Sequence, residues 1–315
     1  MNATESINPE RRPVMKRYLV ITFTFALATA PLIIAGCGGN RNVPGGGGGG
    51  GTTSPIVFQS DRAGNVDVWI STGTPGGPQQ LTTAPGFDGQ PALSPDGTKI
   101  AFTSDRAGSL DVYVMDIDGS NQTRLTFFPG DAKDPSFHPS GQQIVFVAQD
   151  VNGIFQVYVI PTAGGSPTQL TAGTAEHAEP AFSPDGQRIA YASDEDGDLE
   201  LFVMNAQGGN KQQLTNNTVA DTMPAWHPSG DRLVYVSKEG GNLDIWVILA
   251  TGSGKQRLTT DPAKDISPCY SADGQAIVFE SDRSGHSQVY LMSAVNGSGV
   301  QNLTNSTSND GSPCF

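Results

Sequence analysis

Basic residues are scarce in this chain of 315 residues: 18 lysines and arginines stand against 31 aspartates and glutamates, a formal net charge of −13. An acidic surface repels phosphate, which excludes a nucleic-acid groove. Apolar residues make up only 37%, below a typical globular share. After residue 36 no stretch is apolar for long enough to cross a bilayer. No segment carries sustained helical periodicity with caps, so a βα solenoid is excluded. The pentapeptide Gly-x-Ser-x-Gly is absent and no room remains for a hydrolase domain, so a peptidase of that type is excluded. What the chain has instead is 39 glycines and 22 prolines, a composition suited to many short strands joined by tight turns.

The first 37 residues read as an address. Lys16 and Arg17 precede an apolar run from Tyr18 to Ala35, and Cys37 follows at once, the order of an export signal. Ile34-Ala35-Gly36-Cys37 resembles a bacterial lipobox, which implies lipidation of Cys37 and attachment to a membrane. In a Gram-negative cell Gly38 at the next position implies the outer membrane, facing the periplasm. Met15 heads a signal of ordinary length, so Met1 and Met15 are both candidate starts. Residues 38–54 hold the run Gly45 to Gly51, a tether with no capacity to fold. The expected organisation is signal 1–37, tether 38–54 and a folded domain over 55–315.

Internal repetition sets the fold. A Leu-Thr pair begins at Leu81, Leu125, Leu170, Leu214, Leu258 and Leu303, stepping by 44 or 45. Pro91, Pro135, Pro180, Pro224, Pro268 and Pro313 keep the same steps. Turns such as Ser94-Pro95-Asp96-Gly97 and His138-Pro139-Ser140-Gly141 follow the proline, with Pro second and Gly fourth as a type I turn favours. Each leads into a β-rich run (Ile100-Ala101-Phe102, Ile189-Ala190-Tyr191), a hairpin, and a second run such as Val112-Tyr113. Four strands per period predict an all-β, six-bladed propeller of four-stranded antiparallel blades. The repeat begins at Ile56, on a blade's second strand, and reaches Pro313-Cys314-Phe315, on a first strand. The C-terminal strand is therefore expected to join the N-terminal blade and close the ring.

The cassette Pro-x-Φ-Ser-Pro-Asp-Gly, with Ile-x-Phe-x-Ser-Asp-Arg and Asp-Val-Tyr-Val after it, resembles the TolB-type propeller repeat over residues 55–315. That resemblance implies the six-bladed fold and binding of proteins at the propeller faces. Similar repeats form the propellers of prolyl-oligopeptidase-like peptidases and oligogalacturonate lyases. The resulting expectation is a monomeric envelope scaffold with no catalysis of its own and an envelope protein as partner. The alternatives are a carbohydrate- or metal-binding propeller of the lyase type and a purely structural envelope component.

The candidate site is the mouth of the central channel. Three residues before the recurring proline stand Asp88, Asp221, Asp265 and Asp310; the other blades offer Asp131 with Asp134, and Glu176 with His177 and Glu179. A ring of carboxylates favours a cation or basic partner, whereas an aspartate before a strand also caps its own loop. Asp194, Asp196 and Asp198 alternate around Gly197 as in part of a calcium loop, without its terminal glutamate, so Ca2+ competes there with a solvated acidic hairpin. Of four histidines, His138 and His227 occupy blade turns and His286 a hairpin, too dispersed for a lyase-type metal cluster. Gly252-Ser253-Gly254-Lys255 lacks the rest of a phosphate loop, and Asp116-Ile117-Asp118-Gly119 occupies the same turn of its own blade. Cys269 and Cys314 hold matching positions of adjacent inner strands, which leaves a disulfide and small-residue packing both open.

Overall fold

A computed structural model describes residues 55–72 and 77–315. The export signal, Cys37 and the glycine tether lie outside the described residues. Strands β1 (Ile56–Ser60), β2 (Asp67–Ser71) and β3 (Gln79–Gln80) open blade I. Blade II comprises β4 (Asp88–Leu93), β5 (Lys99–Ser104), β6 (Asp111–Asp116) and β7 (Thr123–Arg124). Blade III follows as β8 (Ala132–Phe137), β9 (Gln143–Gln149), β10 (Phe155–Pro161) and β11 (Thr168–Gln169). Blade IV holds β12 (His177–Phe182), β13 (Arg188–Ser193), β14 (Glu200–Asn205) and β15 (Gln212–Gln213). Blade V is β16 (Asp221–Trp226), β17 (Arg232–Ser237), β18 (Asp244–Leu249) and β19 (Gln256–Arg257). Blade VI is β20 (Asp265–Tyr270), β21 (Ala276–Ser281), β22 (Gln288–Ser293) and β23 (Gln301–Asn302). Finally β24 (Asp310–Cys314) returns to lie beside β1, giving six four-stranded sheets. The described residues contain no helix.

The middle strands are buried on both faces because each blade is sandwiched between two others. In β5 every residue after Lys99 is buried, and the same holds for β13 after Arg188. That explains their near-continuous apolar runs where a one-sided sheet would alternate. Phe102, Phe146, Tyr191, Tyr235, Phe279 and Phe58 are at most 1% exposed. The outermost strands are two residues long and largely exposed, which blunts the edges against further pairing.

The Leu-Thr signature has a double use. The leucine packs between blades: Leu81 lies in one cluster with Ile100, Phe102 and Met115 of the next blade. The threonine hydroxyl ties the outer edge to the second hairpin strand. Thr126 accepts from Val112 N at 2.9 Å and donates to Asp111 at 2.9 Å; Thr82 does the same with Val68 and Asp67. The turn glycines are set by close approach. At Gly252 a Cβ would stand 3.1 Å from the Leu214 carbonyl of the preceding blade, with φ at +83°. The hairpin reading of residues 252–255 is therefore the one the packing supports.

The recurring proline marks a bulge. Register shifts between Gly89 and Ala92, between Thr222 and Ala225, and at equivalent places in blades III, IV and VI. The residue before each proline is left-handed: Gln90, Asp134, Glu179, Met223, Ser267 and Ser312 have φ between +46° and +57°. Such a conformation costs roughly 1–2 kcal/mol in a residue with a Cβ, so six repeats of it require a return. Several of the amides there are held by a neighbouring blade: Gln90 N donates to Gln59 Oε1 at 3.0 Å and Met223 N to Glu179 Oε2 at 2.7 Å.

Ring closure follows the expected route. In the β24–β1 pair Val57 faces Cys314 and Ser60 faces Asp310. Asn309 adds hydrogen bonds of 2.9 and 2.7 Å to the Asp61 carboxylate. Deleting residues 312–315 should lower the thermal midpoint by roughly 10 °C, as several kcal/mol of pairing and burial go at once; a midpoint unchanged in a calorimetric scan would contradict closure by this strand.

Candidate functional site at the channel mouth

In an antiparallel blade the loop entering the inner strand and the hairpin between the second and third strands fall at the same end. The starts of β4, β16, β20 and β24 therefore share one face with the Ser-Asp-Arg hairpins. Asp88, Asp265 and Asp310 are at most 1% exposed and each meets an arginine of its own blade. The pairs are Arg106–Asp88 at 2.8 Å, Arg283–Asp265 at 2.8 Å and Arg62–Asp310 at 2.6 Å. In each, the arginine Nε also donates to the hairpin serine: Arg106 to Ser104 and Arg62 to Ser60 at 2.8 Å, Arg283 to Ser281 at 2.9 Å. The guanidinium lies over two aromatic rings, 5.4 Å from Phe102 and 4.9 Å from Tyr113 in blade II. Phe58 with Trp69, and Phe279 with Tyr290, repeat this in blades I and VI. The three carboxylates are thus buried and neutralised in place, and do not form an open acidic ring.

The other blades depart from this unit. In blade III Ala132 replaces the aspartate and Asp150 the arginine, and Phe128 fills the space edge-on to Phe146 and Tyr158. Asp131 stands one residue earlier and accepts from Leu110 N at 3.0 Å. Blade IV exchanges the residue types: His177 replaces the aspartate and Glu195 the arginine, with Nε2 and Oε1 3.5 Å apart. Burial holds His177 below its usual pKa, with the Lys211 charge adding to the effect, so the imidazole is neutral. Glu176 caps the neighbouring hairpin by accepting from Phe155 N at 2.9 Å. In blade V Asp221 is wholly buried but Glu239 stands where the arginine would be, and Asn217 Nδ2 donates to Asp221 Oδ2 at 2.8 Å.

The calcium candidates do not converge. Asp194 accepts from Glu176 N at 2.7 Å and Asp196 from Gln213 Nε2, while Asp198 turns one oxygen inward without a partner. Among the described residues no three acidic, histidine or cysteine side chains are placed to hold a metal. His138 and His227 bond Ser140 and Ser229 in their own turns, and their rings stand edge-on to Phe182 and Tyr270 of the next blade. Cys269 and Cys314 are free thiols with sulfurs 3.4 Å apart. The matching positions face each other across the blade junction, which the strand pattern alone did not indicate.

Inside the channel the left-handed residues bring two carboxylates together. Asp134 accepts from Gln90 Nε2 and, at 3.0 Å, from Lys133 Nζ. Burial raises Glu179 to about 7, with the Asp134 charge reinforcing the shift and the Met223 amide and Lys133 opposing it. Glu200 is likewise raised to about 7, chiefly by burial. The residues sequence reasoning missed are Arg62, Arg106, Arg283 and Glu200. The arginines carried a signal: Ser-Asp-Arg recurs only in the blades whose inner strand begins with aspartate.

Fold, repeat and inner-strand chemistry together define a TolB-class propeller. The TolB beta propeller domain matches residues 50–178 and 212–315, more than half of the chain, and the protein belongs to that family. The Tricorn protease N-terminal beta propeller domain also matches, over residues 155–243. TolB from Acinetobacter baumannii superposes with a TM-score of 0.73 at 20% identity, covering 84% of this chain and 67% of its own. The putative TolB from Agrobacterium tumefaciens gives 0.65 at 23% identity, over 81% and 89%. An oligogalacturonate lyase in complex with manganese gives 0.55 at 17% identity, over 79% and 73%. At these identities the likeness establishes the fold alone. No curated protein sequence matches significantly.

The raised Glu179 makes a pH prediction. Its folded pKa of about 7 lies above the ordinary 4.5, so the folded state holds the proton longer than the unfolded one. Its contribution to stability is full below about pH 4.5 and is lost as pH rises through 7. Glu179→Gln removes the ionisation and keeps an acceptor for Met223 N. The variant's thermal midpoint relative to the parent should therefore climb between pH 5 and pH 8; parallel curves would refute the shift.

Proposed function

We propose that this chain is an envelope-anchored interaction scaffold that binds a protein partner through the mouth of the propeller channel and performs no catalysis of its own. The observation that carries this reading is the construction of the mouth and channel. The arginine-paired aspartates of blades I, II and VI give the mouth a fixed charged framework on which a partner can dock. The serine–histidine contacts, Ser140 with His138 and Ser229 with His227, lie in the turns between first and second strands, at the opposite end of the propeller. Phe127 and Val151, 73% and 99% exposed, lie in loops of the same end and add apolar contact area. The acidic balance selects a basic partner and speeds its approach. The lyase reading rests on a likeness of fold alone, and among the described residues no three acidic, histidine or cysteine side chains are placed to hold a metal.

Anchoring rests on Cys37. Cys37→Ala should shift the protein from the membrane pellet to the soluble fraction; retention in the pellet would remove the lipid anchor from the proposal. Partner binding is tested by crosslinked affinity capture from envelope extract with the full chain as bait. A parallel bait carries Asp134→Asn and Glu179→Gln, which alter the channel and leave the arginine–aspartate units intact. One reproducible protein, lost with the altered bait, is the expected result. Capture of no specific protein by either bait would overturn the scaffold, and capture indifferent to the changes would move the contact away from the channel.

A further inference from the structure

Blade V keeps every part of the arginine unit except the arginine. Asp221 faces Ser237 across β16 and β17, as Asp88 faces Ser104 and Asp265 faces Ser281. Tyr235 faces Trp246 across β17 and β18, as Phe102 faces Tyr113 and Phe58 faces Trp69. Ser237 still accepts from the amide two residues on, at 3.1 Å, the bond that also precedes each arginine. The residue carrying that amide is Glu239, and its side chain turns outward to Lys255.

The buried groups around the missing arginine's position are polar and unsatisfied. Asp221 and Tyr235 have no solvent exposure, and Asp221 Oδ1 and the Tyr235 hydroxyl have no hydrogen-bond partner. Glu200 of blade IV is wholly buried with Oε2 unpartnered, and Asp198 adds a further unpartnered oxygen. Asp221, Glu239 and Glu200 are the charges that act on the Tyr235 phenol. At the corresponding junction of blades V and VI, the Asp244 and Asp265 carboxylates are answered by Arg257 at 2.6 Å and Arg283 at 2.8 Å. At the blade IV–V junction no guanidinium answers. Lys255 approaches to 5.5 Å over the Trp246 ring, but its ammonium is spent on Glu239 and makes no hydrogen bond to Asp221. Buried acceptors without donors are costly, and a guanidinium is the donor this geometry satisfies in three other blades.

We propose that the Asp221–Tyr235–Ser237–Trp246 slot receives the guanidinium of an arginine side chain presented by a protein partner. Its Nε meets Ser237 Oγ, its terminal nitrogens meet Asp221, and its plane stacks on Trp246 once the exposed Lys255–Glu239 pair swings aside. This deepens the scaffold reading and rests on it, since the slot lies at the end of blade V that carries the channel mouth.

The test titrates the full chain with acetyl-Gly-Arg-Gly-amide, followed by calorimetry and by intrinsic tryptophan fluorescence, with the lysine tripeptide as control. Saturable binding of the arginine peptide is expected at about 1 mM or tighter, with the lysine peptide at least about tenfold weaker. Asp221→Asn should weaken the arginine peptide at least about tenfold. Glu239→Arg supplies the missing side chain from within: it should abolish peptide binding and raise the thermal midpoint by about 2–4 °C. No saturation by roughly 10 mM, equal binding of the two peptides, or undiminished binding to the Glu239→Arg chain overturns the slot. The two readings separate in the capture experiment. A partner lost with the Asp134 and Glu179 bait but retained by the Glu239→Arg bait leaves the scaffold standing and rejects the slot as its contact.

Discussion

Everything in this molecule depends on blades that must be covered on both faces. A strand such as β5, buried along nearly its whole length, is unstable at an open end, because one apolar face would meet water. Six blades can satisfy one another only as a closed ring, so the pairing of β24 with β1 is the condition for the other five interfaces. Closure also concentrates chemistry. It brings six inner strands around one axis, where the bulge before each proline fixes side chains that flat strands would point elsewhere. It also gathers the loops into the inner strands at one end, which carries the acidic strand starts.

The architecture was legible because its determinants repeat. Leucine and threonine, proline and turn glycine each perform a local task that every blade needs, so their spacing alone gives blade number, strand order and closure. The inner-strand aspartates were legible as positions and not as partners. Asp88 and Arg106 are 18 residues apart, Arg62 and Asp310 are separated by 248, and nothing in a linear pattern states that both separations describe one contact. Only the co-occurrence of Ser-Asp-Arg with a leading aspartate, blade by blade, contains it. The meeting of Cys269 and Cys314 sulfurs was opaque for a similar reason. It depends on how two sheets face across a junction, which strand periodicity does not encode.

The arginine unit is strong for reasons that also make it diagnostic. Guanidinium and carboxylate are both largely withdrawn from water, and removing one member of such a pair strands the other at about 3–5 kcal/mol. A repeat protein that loses the arginine must therefore alter its surroundings. Blade III does so by dropping the aspartate to Ala132 and filling the space with Phe128. Blade IV does so by placing a neutral histidine against a glutamate that Lys211 already compensates at 2.5 Å. The first is a complete substitution, whereas the second leaves His177 Nε2, the Tyr191 hydroxyl and Ser193 Oγ without hydrogen-bond partners.

Blade V departs further, because its buried carboxylate stays in place, and the direction of its departure is informative. The aspartate and serine remain, the phenylalanine seen in blades I, II and VI becomes, as in blade IV, a tyrosine with an unpartnered hydroxyl, and the arginine becomes an acid. Loss of one group by drift would be expected to leave a void or an apolar replacement, as in blade III. Here the polar demand has increased: burial raises Asp221 above its usual range despite the nearby Ser237, Thr215 and Asn217, and Glu200 beside it is raised as well. A ring held together by six similar interfaces can carry one that is under-satisfied, because the five others maintain closure. That tolerance is what lets a propeller keep an unfilled donor site at its mouth, and a site the fold does not need is one a partner can fill.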